Sequence, residues 1–257
     1  AVLCSGWLMV LPGTPAMAAP LLALSPASGA SGTTVTISGE NFDSYKGDDI
    51  YIFFDNEEIA VSPIEVPETG SFEFQFNIPE HTEPGKHTFR ARSELGSTLA
   101  MSTFTVLAPA IDLDAKSGTV GRKVAVTGEG FYANRVVTIY YDGKMLGTQI
   151  ASSTGEFDYS FTVPDSPAGT HIISARNAEG DSAEAEFEII PLIKIEPAKG
   201  AVGNILTVSG SGFASKSDLS IRFNYEEVAY AKTDESGSFE TAFFNVPRVP
   251  PGIYDVM

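Results

Sequence analysis

Residues Leu24–Phe42 read LSPASGASGTTVTISGENF, and a stretch of the same pattern aligns with it without gaps twice more. Leu113–Phe131 reads LDAKSGTVGRKVAVTGEGF, and Ile195–Phe213 reads IEPAKGAVGNILTVSGSGF. In each copy a glycine (Gly32, Gly121, Gly203) stands ten residues before a phenylalanine (Phe42, Phe131, Phe213). A second glycine (Gly39, Gly128, Gly210) stands three residues before it. The match continues downstream through Gly70-Ser71-Phe72, Gly155-Glu156-Phe157 and Gly237-Ser238-Phe239, then Pro79, Pro164 and Pro247. Self-similarity at a period of 82 to 89 residues marks an array of small repeated domains.

Within each copy the apolar residues alternate. Val35 and Ile37, Val124 and Val126, and Leu206 and Val208 are separated by single residues. So are Ile50, Ile52 and Phe54, with counterparts Val137, Ile139 and Tyr141, then Leu219, Ile221 and Phe223. Alternate side chains of a strand share one face, so each run has a core side and a wet side. Asp142-Gly143 between two such runs predicts a tight hairpin turn. The fold expected is all-β: tandem immunoglobulin-like β-sandwiches. The expected division is residues 19–108, 109–190 and 191–257, joined by the short Pro-containing stretches Leu107-Ala108-Pro109 and Ile190-Pro191. Linkers this short restrict hinge motion. By alignment Met257 falls opposite Arg90 and Ser174, so the third sandwich is expected to be incomplete and the chain a piece of a longer protein.

The recurring glycines Gly39, Gly128 and Gly210 are expected to end a strand where positive φ or a tight bulge excludes other residues. The phenylalanine that follows is expected to turn inward and plug the end of the sandwich.

Ser25-Pro26 through Gly39-Glu40-Asn41-Phe42, with its two echoes, resembles the opening of IPT/TIG domains. The second copy departs from it at Asp114-Ala115, where the others have Ser25-Pro26 and Glu196-Pro197. The resemblance implies immunoglobulin-like sandwiches of the E-set type. It further implies a stalk or adhesive module of the kind found on bacterial and archaeal surface proteins, with no transferable catalytic motif.

Residues 1–18, AVLCSGWLMVLPGTPAMA, carry no charge and end in Ala16-Met17-Ala18. They read as the back end of a secretory signal peptide cleaved after Ala18. Cleavage would remove Cys4, the single cysteine, leaving the domains to be held by packing alone. Leu3 before Cys4 fits a lipobox poorly. The expected location is extracellular or at the cell surface, with any membrane association through a region outside this sequence. The net charge of −17 repels phosphate backbones and argues against general nucleic-acid binding.

The sequence has no Gly-x-Ser-x-Gly elbow, P-loop or His-Glu-x-x-His helix. No cofactor is expected and the chain is read as non-enzymatic. His87 and His171 hold equivalent positions, taken by Tyr254 in the third copy, which suits a half-buried strand residue better than a metal ligand. His81 stands among Glu80 and Glu83 in a loop. Calcium is the ion the acidic loops could hold, since it takes six to eight oxygens. Its candidates are Asp43, Asp48 and Asp49, then Asp55 with Asn56, Glu57 and Glu58, then Asp112 and Asp114 at a repeat junction. Other surface proteins and extracellular glycans are the partners considered, the latter through Tyr45, Tyr51, Tyr132, Tyr140 and Tyr225. The alternative reading is a spacer or carbohydrate-binding region of a secreted polysaccharide-acting enzyme.

Overall fold

The computed structural model describes residues 18–257. The expected signal segment, with Cys4, lies outside the described residues except for Ala18. Among those residues nearly all regular structure is strand, and the helical turn is the three-residue Asp43–Tyr45. The chain forms tandem immunoglobulin-like sandwiches, as the alternation requires. It divides into two compact units. One contains Val35–Phe76 and Lys86–Thr105 with the segment ending at Ala27; the other contains Ser28–Thr34, Asn77–Gly85 and Val106–Met257.

In the first unit one sheet orders Leu21–Ser25, Thr34–Glu40 and Phe72–Asn77. The other places Gly85–Ser93 between Thr98–Val106 and Asp49–Phe54, with Glu57–Glu58 and Ile64–Glu65 on the outer side of Asp49–Phe54. Val35, Ile37, Ile50, Ile52, Phe89 and Phe104 are completely buried. Each contributes about 1.5–3 kcal/mol relative to exposure, which is why alternation in sequence becomes a sheet with one dry face.

In the second unit the middle sandwich pairs a three-stranded sheet (Ala110–Leu113, Lys123–Glu129, Phe157–Thr162) with a five-stranded one. The five run Ser117–Gly118, Ser182–Ile189, Gly169–Asn177, Val136–Tyr141, Lys144–Ile150. The expected hairpin turn is present, with Asp142 at φ 47° and Gly143 at φ 77°. The last repeat has the three-stranded sheet (Leu192–Glu196, Ile205–Ser211, Phe239–Asn245). Opposite it stand two strands, Asp218–Phe223 and Glu226–Lys232, with a single bridge from Phe223 to Val256.

The structure corrects the reason for Gly39 and Gly128, while a bulge does lie beside Gly210. None has positive φ, and all three lie inside strands rather than after them. A Cβ on Gly39 would overlap the Phe72 ring, one on Gly128 the Phe157 ring, and one on Gly210 the Phe239 ring. The glycine is a seat for an aromatic ring on the neighbouring strand. The left-handed backbone comes two residues later, at Asn41 (φ 62°), Gly130 (φ 74°) and Gly212 (φ 74°), immediately before the phenylalanine. Phe42 and Phe131 are fully buried and pack on Phe72 and Phe157 at ring-centroid distances of 5.1 and 5.2 Å. Phe213 packs on Phe239 at 5.8 Å and is only half-buried.

One irregularity separates the last repeat. In the middle repeat Gly128 and Val126 face Phe157 and Tyr159, two residues against two. In the last, Gly210 and Val208 face Phe239 and Ala242, so Glu240 and Thr241 together oppose the single Ser209. This bulge reverses the side-chain alternation beyond it. Ala242, Phe244 and Val246 turn inward, and Phe243 is left 63% exposed.

Candidate functional site

The polar residues that recur from repeat to repeat are used to hold strands together. Asp55 and Asp142 both occupy a positive-φ turn position just after a core strand. Asp55 Oδ2 lies 2.8 Å from His87 Nδ1, and its Oδ1 accepts from the Thr88 amide at 2.8 Å. Asp142 Oδ2 lies 2.6 Å from His171 Nδ1, and its Oδ1 accepts from the Ile172 amide at 2.8 Å. Each imidazole stacks on the ring before the turn: His87 on Phe54 at 5.3 Å and His171 on Tyr141 at 5.1 Å. The Nε2 of the buried His171 faces the Pro167 carbonyl at 2.9 Å. In the last repeat Tyr254 stacks on Phe223 at 5.1 Å and its hydroxyl donates to the Pro250 carbonyl at 2.7 Å. Tyrosine thus reproduces the bond to the carbonyl four residues back, and Asn224 replaces the aspartate that has no imidazole to hold. Burial works upward on the Asp55 carboxyl, but the Thr88 amide, the His87 ring and Arg90 together hold it below its ordinary value.

A second constellation, inside the larger unit, ties the rim segments Ser28–Thr34 and Asn77–Gly85 to the middle repeat. The Ala30 amide donates to the Thr154 carbonyl and the Ala133 amide to the Ser31 carbonyl, both at 3.0 Å. Tyr132, only 9% exposed, lies against Gly32 and donates from its hydroxyl to Glu80 at 2.9 Å. Arg135 covers the Tyr132 ring at 5.3 Å and pairs with Glu179 at 3.3 Å. Burial first, then the Glu80 carboxylate, push the Tyr132 hydroxyl above its ordinary value. Asp181 accepts from the Tyr132 amide at 2.7 Å. Between the middle and last repeats the Ala168 amide donates to the Phe213 carbonyl at 2.8 Å, and Gly237 lies against that carbonyl and Pro167.

Residues 21–106 match the family described as IPT/TIG domain. That segment is an IPT/TIG domain. No curated protein matches the chain. Among solved structures it is similar to SGBP-B of the Bacteroides ovatus mixed-linkage glucan utilization locus, in complex with a mixed-linkage heptasaccharide. The identity is 12% over 86% of this chain and 65% of that one, with a TM-score of 0.34. It is similar to the tetra-tandem repeat in the extending region of a large adhesion protein (15%, 89% and 66%, TM-score 0.31). It is also similar to the Yersinia pseudotuberculosis adhesin InvE (13%, 66% and 58%, TM-score 0.28). The chain spans about two thirds of the length of the first two. At TM-scores this low the likenesses carry nothing about function.

The calcium candidates of the IPT/TIG domain go to separate tasks. Asp43 pairs with Lys46 at 2.9 Å, Asp48 and Asp49 are exposed, and Asp55 belongs to the clasp with His87. Asp112 is exposed, and Asp114 accepts from the Ala125 amide at 2.9 Å. Among the described residues no three acidic, histidine or cysteine side chains gather around one point. Of the tyrosines, Tyr45 packs edge-on against Phe42, Tyr132 is buried, Tyr51 and Tyr140 are half-buried, and Tyr225 is 74% exposed. The sequence reading missed the joint around Tyr132. Its one signal is that Tyr132 stands where the last repeat has Ala214.

The outward face of the IPT/TIG domain's larger sheet carries Tyr51 and Phe53 on one strand and Arg90 and Arg92 on the next. Tyr51 stands opposite Arg92 and Phe53 opposite Arg90. The Arg92 guanidinium lies over the Phe53 ring at 4.6 Å. Its Nε is buried without a hydrogen-bond partner, and Arg92 makes no ion pair among the described residues.

Proposed function

We propose that this chain is a non-catalytic module of an exported surface protein, in which the repeats serve as a spacer with limited freedom at the joints. The observation that carries the reading is the joint at Tyr132. Inside the larger unit, two backbone hydrogen bonds, a buried ring seated on Gly32 and the Glu80 bond tie the segments Ser28–Thr34 and Asn77–Gly85 to the middle repeat. Joining by backbone bonds and a buried ring suits a load-bearing spacer better than a flexible tether. The recurring aspartates and histidines support the same reading, because their hydrogen-bonding capacity is spent inside the sandwiches.

Limited proteolysis tests the joint. Leu107–Pro109 is expected to resist cleavage in the intact chain and to become cleavable in Tyr132→Ala, with the sandwiches still folded. Wild-type cleavage at that stretch as fast as in the variant would end the spacer reading. Turnover of any polysaccharide by the purified chain would end the non-catalytic one.

A further inference from the structure

The equivalent sheet faces of the first two repeats differ in charge, basic on the first and mainly acidic on the second. In the first repeat Arg90 and Arg92 stand on one strand, and the equivalents of the next strand's acidic residues are Met101, Thr103 and Thr105. In the middle repeat those three places hold Glu184, Glu186 and Glu188, all exposed. There Arg176, the counterpart of Arg92, is neutralised by Glu184 at 3.3 Å. The first repeat, residues 19–108, has 13 acids and only four bases, yet two of the four lie side by side on this face; Arg90 donates to the Asp55 carbonyl, and Arg92 makes no ion pair among the described residues. Glu58, across from Phe53 in the ladder, is engaged with Ser62 at 2.7 Å.

We infer that the Arg90–Arg92 face of one chain docks on the Glu184–Glu186–Glu188 face of a second copy of this chain. Three features favour a second copy over other acidic partners. Both half-sites are present on the molecule with opposite sign. Both are ladders of alternate strand residues, so the charges in each repeat about every 6.6 Å, twice the strand rise. Both have half-buried aromatic surface beside the charges, Tyr51 and Phe53 on one and Tyr140 on the other. Arginine suits this task because its planar group pairs with a carboxylate while stacked on a ring. The contact joins two different surfaces, so each copy that docks still carries a free half-site unless the assembly closes into a ring.

The test is sedimentation equilibrium of the full chain. The weight-average mass is expected to rise steadily with protein concentration at low salt. At about 1 M salt, where the screening length is about 3 Å, it is expected to fall to the monomer value. Arg90→Glu with Arg92→Glu is expected to be monomeric, and so is Glu184→Arg with Glu186→Arg. An equimolar mixture of the two variants restores association, because each now offers the surface the other lost. Circular dichroism checks that both are folded. Arg92→Gln, a gentler change, is expected to weaken association about ten-fold. Reversing Asp158 and Glu240, which lie on the other sheets, leaves it unchanged. The inference is overturned by a wild-type mass that stays monomeric, by a mixture that stays monomeric, or by association that survives high salt and so reports apolar edges. It is equally overturned if the Asp158 and Glu240 reversal reproduces the loss. Polygalacturonate binding that depends on Arg92, in a chain that never self-associates, would assign the face to an acidic polysaccharide instead.

Discussion

The middle and last repeats begin with the same spacing of glycines and phenylalanine, yet they place their aromatic rings differently. Counting from Phe157 and Phe239, Phe161 and Phe243 are counterparts. Phe161 is 5% exposed and Phe243 is 63% exposed. The extra residue between Phe239 and Ala242 makes Phe244 the true counterpart: it faces Phe223 at 6.0 Å as Phe161 faces Tyr141 at 6.2 Å. A single inserted residue decides which of two neighbouring phenylalanines builds the core. The clasps differ in step, with an Asp142–His171 pair in one repeat and Asn224 with Tyr254 in the other.

The largest test of this contrast is alanine substitution. Phe161→Ala should cost about 3–5 kcal/mol by opening a cavity, while Phe243→Ala should stay within about 0.5 kcal/mol. Amide exchange resolved by repeat measures both, which a single global transition would blur. Equal costs would mean that the bulge does not exist in solution. Next in size is the ring seat. Gly128→Ala should cost about 1–3 kcal/mol because Phe157 is confined beside the buried Phe131. Gly210→Ala should cost less, since the half-buried Phe213 leaves Phe239 room to shift.

The clasp comes third. His171→Phe keeps the stack on Tyr141 but loses the bonds to Asp142 and Pro167, for about 1–2 kcal/mol. Tyr254→Phe loses one exposed bond and should cost about 0.5 kcal/mol. The smallest effect is the acid response of the first repeat's clasp. Asp55 has a folded value below its ordinary 3.8. Its contribution is therefore complete above 3.8 and fades as pH falls through the lower folded value. Asp55→Asn should flatten that acid limb in a pH series of urea titrations. An unchanged limb would show that the His87 and Thr88 bonds do not favour the charged form.

Much of this was legible because it depends on period. Val35, Val124 and Leu206 announce a strand in the same way, since burying one face of a pleated strand requires alternation. The bulge also left a trace, an eight-residue step from Phe239 to Pro247 against seven from Phe72 to Pro79 and from Phe157 to Pro164. The glycines were located correctly, but positive φ explains none of them and a bulge accompanies only Gly210. Sequence cannot distinguish a glycine that frees the backbone from one that makes room for a ring, because the ring arrives from another strand. Asp55 looked like a calcium oxygen because the acid-rich run Asp55–Glu58 hides that its carboxylate faces His87, thirty-two residues away.

By itself, then, the sequence determined the strand pattern, the repeat spacing and the positions of the ring, turn and glycine residues, because those follow from local periodicity and turn chemistry. Tertiary structure alone decided the partners. It seated Tyr132 on Gly32 and Glu80, matched Asp142 to His171, and laid Arg92 over Phe53. Each of these pairs is distant in sequence and becomes adjacent only when strands align in register, so its energy exists only in the folded chain.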